Sequence, residues 1–209
     1  MSHVILLGDS IFDNARYVPG RPAVIEQVRT RLTRGWCATL LAVDGAVAED
    51  VKLQIQKMPG DASHIVMSVG GNNALGYSRL LHSDSIASEM FERLADAQSE
   101  FQGEYRATLQ AVVALGMPTA VCTVYDSIPG LAKSERAALS LFNDVIIREA
   151  IRHKVPVIDL RFVCDEFRDY SEFSPIEPSE VGGAKISQAI CRLVVSHDFE
   201  KAHCVAYRN

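Results

Sequence analysis

Short apolar runs alternate along this chain with longer segments of helical periodicity, and that alternation limits the fold more than any other feature. Val4-Ile5-Leu6-Leu7 opens the series. A run with no polar side reads as a strand covered on both faces, as strands of a parallel sheet are. Similar runs are Cys37 to Val43, His64 to Val69, Thr119 to Val124 and Val155 to Leu160. Between them, Pro22 to Leu32 sets Ile25, Val28 and Leu32 on one face, and Ala48 to Met58 sets Val51, Ile55 and Met58 at helical spacing. Ser85 to Leu115 and Ser134 to His153 are longer helical stretches. Ser179-Glu180 begins a last helix through Val195, with Pro178 at its first turn. Alternation of this kind predicts a parallel sheet between helical layers. The tail, Lys201 to Asn209, carries no clear pattern.

With 209 residues and no repeat, linker or low-complexity tract, the chain is expected to form one domain, 1–209. Its 21 basic and 26 acidic residues give a net charge of −5 with no long basic stretch, which speaks against nucleic acid and anionic membranes as partners. Met1 to Leu7 has no basic leader and no later segment approaches a membrane span, so the expected compartment is the cytoplasm. Cys37, Cys122, Cys164, Cys191 and Cys204 are odd in number and widely spaced, matching neither a disulfide framework nor a metal site.

Ligands of open α/β sheets bind beyond the carboxyl ends of the strands. Three loops at such ends hold unusual residues: Gly8-Asp9-Ser10-Ile11-Phe12-Asp13-Asn14, Asp44-Gly45-Ala46 and Gly70-Gly71-Asn72-Asn73. A serine, a backbone N–H beside a glycine and an asparagine amide are the parts of an acyl-transfer site, where donors await the oxyanion of a tetrahedral intermediate. Taken singly, each loop is as well explained by a helix cap or a turn. A phosphate site at Gly8 to Asp13 is weaker, since no Gly-rich Lys-Ser/Thr loop is present.

In these blocks, taken in order and covering nearly the whole chain, the sequence resembles the SGNH hydrolase superfamily, the GDSL-type esterases and lipases. The resemblance implies a three-layer α/β/α sandwich around a mainly parallel five-stranded sheet of flavodoxin-like kind. It implies Ser10 as nucleophile, with the N–H groups of Ser10 and Gly45 and the Asn72 amide as oxyanion donors. Asn73 stands where an aspartate is usual. No metal or organic cofactor is implied, and the expected partner is a small-molecule ester.

The last block departs from the family's Asp-x-x-His-Pro. Here Ser174-Pro175-Ile176-Glu177-Pro178 falls into register, putting Glu177 at the histidine and Ser174 at the aspartate. The two changes are chemically consistent: a histidine base needs a carboxylate to accept its second ring proton, whereas a carboxylate base would be repelled by one and welcomes a donor. Glu177 oriented by Ser174 is therefore the expected partner of Ser10. A free glutamate of pKa roughly 4.3 is a poor acceptor from a hydroxyl, so burial must raise it. His3, His64 and His153 precede strands and fall at the opposite edge, His197 and His203 follow the last helix, and only His82 stands where it could fold over the site; an exposed loop histidine is the better reading.

Asp9, Asn73, Tyr125 and Asp126 are expected to line the substrate pocket; turn-forming or helix-capping roles are at least as plausible for Asp126 and for Asp13 of the nucleophile loop. The expected activity is hydrolysis of a small carboxylic ester through an acyl-enzyme on Ser10. The alternative is a non-catalytic module that holds a carboxylate or an acyl or sugar ester in the oxyanion pocket.

Overall fold

A computed structural model describes residues 1–78, 87–201 and 204–207. Its sheet has the order β2-β1-β3-β4-β5-β6, all neighbours parallel, from β1 (Ser2–Gly8), β2 (Trp36–Leu40), β3 (His64–Ser68), β4 (Thr119–Cys122), β5 (Val157–Ile158) and β6 (Ala206–Tyr207). Helices α1 (Val24–Arg31), α2 (Val51–Ile55), α3 (Gly71–Gly76), α4 (Ala87–Val113), α5 (Lys133–His153), α6 (Leu160–Val163) and α7 (Glu180–Ser196) connect or follow the strands.

The sheet is covered on both faces, which accounts for the unbroken apolar run of β1. Val4 and Leu6 face one core with Val28 of α1 and Ile186, Ile190 and Leu193 of α7. Ile5 and Leu7 face the other with Phe101, Tyr105 and Leu109 of α4 and Phe142 and Ile146 of α5. The expected α/β/α sandwich is thus present, with one strand more than the five expected. The extra strand, Ala206–Tyr207, pairs with Val157 and Ile158 at the sheet edge. Two residues are too short for an alternation to register, and only the neighbouring β5 makes them a strand.

Several elements end earlier than their apolar runs. Leu41 and Ala42 still donate to the Leu6 carbonyl, and Val43 to that of Gly8, but the chain is already turning into the second loop. Leu160 opens α6, with Asp159 as its cap, so the fifth apolar run is divided between strand and helix. Ser179 caps α7, its hydroxyl accepting from the N–H groups of Val181 and Gly182. No helix among the described residues is long and apolar enough to cross a membrane. The cysteines are unpaired thiols.

Candidate active site

The first loop turns where β1 ends because Gly8 adopts φ +126°. A Cβ there would lie 1.8 Å from the Ser68 carbonyl oxygen, so only glycine permits this approach of β1 to β3. Gln54 of α2 locks the turn, accepting from the Gly8 N–H at 2.8 Å and donating to its carbonyl at 2.7 Å. The chain then delivers Ser10, 7% exposed, over the end of the sheet.

Glu177 meets it from the opposite direction. The Ser10 hydroxyl donates to Glu177 Oε1 at 3.0 Å, across 167 residues of sequence. Three donors clamp the segment that carries Glu177. Tyr125 Oη donates to the Ile176 carbonyl at 2.7 Å, the Ser171 N–H to the Glu177 carbonyl at 2.8 Å, and Asn14 Nδ2 to the Pro178 carbonyl at 3.1 Å. The last two come from segments flanking the site, so the carboxylate is aimed at Ser10 by backbone anchors rather than by a partner on its own oxygens.

Ser174 does not play the part expected of it. Its carbonyl accepts the Glu177 N–H at 3.1 Å, closing the turn, while Glu177 Oε2 is buried without a hydrogen-bond partner among the described residues. Serine here forms the turn and does not orient the carboxylate. Burial pushes the Glu177 carboxyl from 4.5 up to about 7, helped by the Asp44 carboxylate and opposed by the Ser10 hydrogen bond. Basicity close to that of an imidazole is therefore reached by desolvation. Asp9, beside Ser10, is also buried and is pushed to about 7 by burial first and by Glu177 among smaller causes; the Ile11 N–H donates to its Oδ1 at 3.1 Å.

Of the oxyanion candidates, Ser10 and Asn72 line the cavity beside Glu177, whereas Gly45, like Ser174, does not belong to its lining. Neither the Ser10 nor the Gly45 N–H is hydrogen-bonded within the described residues. Gly45 is exposed with φ +84°, a left-handed conformation that turns the second loop back after β2. Asp13 holds that loop by accepting the Asp44 N–H at 3.0 Å, and Asn72 Nδ2 ties it to the third by donating to the Ala46 carbonyl at 3.0 Å. An amide nitrogen carries two hydrogens, so this bond leaves Asn72 one to offer.

Ser10, Asp9, Asn72, Tyr125 and Glu177 line one cavity of about 110 Å³. Asn73 and Asp126 do not belong to its lining. Asn73 is engaged at both ends, Oδ1 accepting from the Ala48 N–H at 3.0 Å and Nδ2 donating to Glu104 at 2.9 Å, so it pins the third loop to α4. Asp126 lies one residue past Tyr125, and its charge acts on Arg161 and Tyr170. Asn143 and Asp159 hold backbone: Asn143 brackets Val124 with two 2.8 Å bonds and Asp159 caps α6.

Among the described residues no histidine lines the cavity. His3 is spent between Asp61 and Thr39 at 3.0 and 2.8 Å, and His197 contacts Tyr207 at 2.8 Å. His82 and His203 lie outside the described residues. Asn14 is the neighbour of the candidate site whose role the sequence does not signal. Completely buried, it accepts from the Val24 N–H at 2.9 Å while holding Pro178, and so fixes α1, the Ser10 loop and the Glu177 turn together. Its partner is 164 residues away, and no local pattern announces it.

No family model and no curated protein sequence matches the chain. Solved structures do. An extracellular lipase from Streptomyces rimosus is similar at 18% identity and TM-score 0.67, over 95% of this chain and 100% of that one. A lipase from a goat rumen metagenome is similar at 16% and 0.72, over 90% and 95%. An acetyl xylan esterase from Geobacillus stearothermophilus is similar at 15% and 0.67, over 91% and 93%. At such identities the likeness is one of architecture, and the chain has the fold of these lipases and esterases, the one implied by its resemblance to the SGNH hydrolases.

Proposed function

We propose that the chain is a serine ester hydrolase in which Glu177 replaces histidine as the base. The observation that carries this reading is the 3.0 Å hydrogen bond from the Ser10 hydroxyl to a buried carboxylate whose pKa is raised to about 7. Near pH 7 such a group is both present as an acceptor and able to return the proton.

Ser10 Oγ attacks the ester carbonyl carbon as its proton passes to Glu177 Oε1. The carbonyl oxygen takes the electron pair and is met by the N–H groups of Ser10 and Gly45 and by the remaining Asn72 hydrogen, each worth roughly 10²–10³ in rate in sites of this kind. Collapse breaks the bond to the alcohol oxygen, which leaves with the proton from Glu177. A water then attacks the acyl-enzyme, gives its proton to Glu177, and the second collapse releases the carboxylic acid and restores the Ser10 hydroxyl. Esterase and lipase names among the structural neighbours are consistent with this chemistry.

Labelling by a fluorophosphonate and hydrolysis of p-nitrophenyl acetate test the reading. Wild type labels and turns over, Ser10→Ala does neither, and Glu177→Gln loses about 10⁴ in kcat, the scale seen when a serine's base system is disabled. A wild type that neither labels nor turns over between pH 5 and 9 would refute it and leave a binding module with an oxyanion pocket.

A further inference from the structure

We infer that the cavity beside Ser10 is an acyl pocket for an unbranched aliphatic chain several carbons longer than acetyl, its length set by Ala74 and Ala138. This rests on the hydrolase reading above. Away from Ser10 and Glu177 the walls are apolar, formed by Ala74, Leu94, Val124, Ala138, Leu139 and Phe142. The polar side chains in that part each make a hydrogen bond to protein. Tyr77 Oη donates to Glu100 at 2.7 Å, Ser78 Oγ to the Leu75 carbonyl at 2.8 Å, and the Glu135 carboxylate accepts the Ala132 N–H at 2.8 Å. Methylenes placed against the apolar walls gain by leaving water, whereas a sugar or charged group there would give up water for mostly apolar contacts.

Size points the same way. A cavity of about 110 Å³ has room for on the order of seven to eleven waters at roughly 10–15 Å³ each. An acetyl methyl would displace a small part of that and leave the rest as water against apolar walls.

The chain that enters belongs to the acyl side. In the tetrahedral intermediate the leaving oxygen must adjoin Glu177 to receive its proton, and Glu177 sits on the 174–178 turn. Apart from Val124, which follows β4, the apolar walls come from α3, which also carries Asn72, and from α4 and α5. With the base side taken by the alcohol, the acyl carbon is left facing these helices. Ala74 and Ala138 are half-buried on α3 and α5, so larger side chains there grow into the cavity rather than into packed core.

The test has a turnover arm and a binding arm. For p-nitrophenyl acetate, butyrate, hexanoate and octanoate, kcat/KM of the wild type rises about fourfold per methylene until the pocket is filled. Methyl octanoate is preferred to octyl acetate. Ala138→Phe and Ala74→Leu, each checked for an unchanged melting temperature, lower the octanoate-to-acetate ratio at least tenfold; two positions on different helices guard against one variant failing to fold. Calorimetry on Ser10→Ala shows octanamide binding at least tenfold tighter than acetamide, and Ala138→Phe removes the difference. A flat acyl-length profile, a preference for octyl acetate, or equal binding of the two amides overturns the proposal. Octanamide binding in a protein that hydrolyses nothing keeps the pocket and sinks the hydrolase reading. Acetate turnover without any gain from length does the reverse.

Discussion

Removing the charge of Glu177 should make the protein more stable and less active, and the pH dependence of that gain is calculable. An acid whose folded pKa is about 7 rather than 4.5 is harder to ionise in the fold by about 3 kcal/mol. The sign follows from proton binding. Between pH 4.5 and 7 the folded state holds a proton that the unfolded state has released, so this group's stabilisation is complete below 4.5 and is lost as pH rises through 7. Glu177→Gln abolishes that loss. Allowing for partial solvent access to the pocket, wild type should fall behind Glu177→Gln by about 2 kcal/mol between pH 4 and pH 8.5. Asp9 titrates in both proteins and cancels to first order. Urea denaturation at pH 4, 5.5, 7 and 8.5 reads the difference directly, with p-nitrophenyl acetate assays on the same samples. A gap that stays constant with pH, or a Glu177→Gln protein less stable than wild type at pH 8.5, would refute the account of Glu177 as a desolvated, strained base.

The rate should follow the same group: kcat/KM for p-nitrophenyl acetate rises through a midpoint near pH 7 and stays level above it, because the base acts ionised; a midpoint near 4.5 would count against a buried acceptor. Tyr125→Phe removes the donor to the Ile176 carbonyl, which should cost about 1 kcal/mol in denaturation and lower kcat more than it changes KM, since the Glu177 turn loses one of its clamps. Gly8→Ala places a methyl 1.8 Å from the Ser68 oxygen at a left-handed φ, and soluble yield and thermal melts should show a loss beyond about 4 kcal/mol or no folded protein.

What the sequence discloses is what local pattern encodes. Val4 to Leu7 reads as a doubly covered strand because all of its side chains are apolar, and Ser179-Glu180 reads as the start of the last helix, although Pro178, expected in its first turn, falls before the Ser179 cap. The Ser10, Gly45 and Asn72 loops are legible as a set because strand ends in a parallel sheet converge. Long-range hydrogen bonds are silent in the sequence. Asn14 holding Pro178 and Asn73 spending both ends on Ala48 and Glu104 depend on loops meeting in space, and an asparagine that pins a loop has the same letter as one that faces a ligand. The sixth strand is invisible for a related reason, since its two residues are a strand only by pairing with β5.

Glu177 shows why the identity of the residue at 174 matters in a different way from the one the sequence suggests. A histidine base carries two ring nitrogens, and an acid partner must select the tautomer. A carboxylate has no tautomer to select, so it needs only to be aimed, and the clamped carbonyls of Ile176, Glu177 and Pro178 do that. A carboxylate at 174 would add repulsion. A donor reaching Oε2 would be no better, because a hydrogen bond to the ionised form lowers the pKa and weakens the base. The unpartnered Oε2 is thus the condition under which a glutamate can approach the basicity of an imidazole. On the proposed function, the stability lost by ionising it is the counterpart of the reactivity of Ser10, and both should disappear together when Glu177 is made neutral.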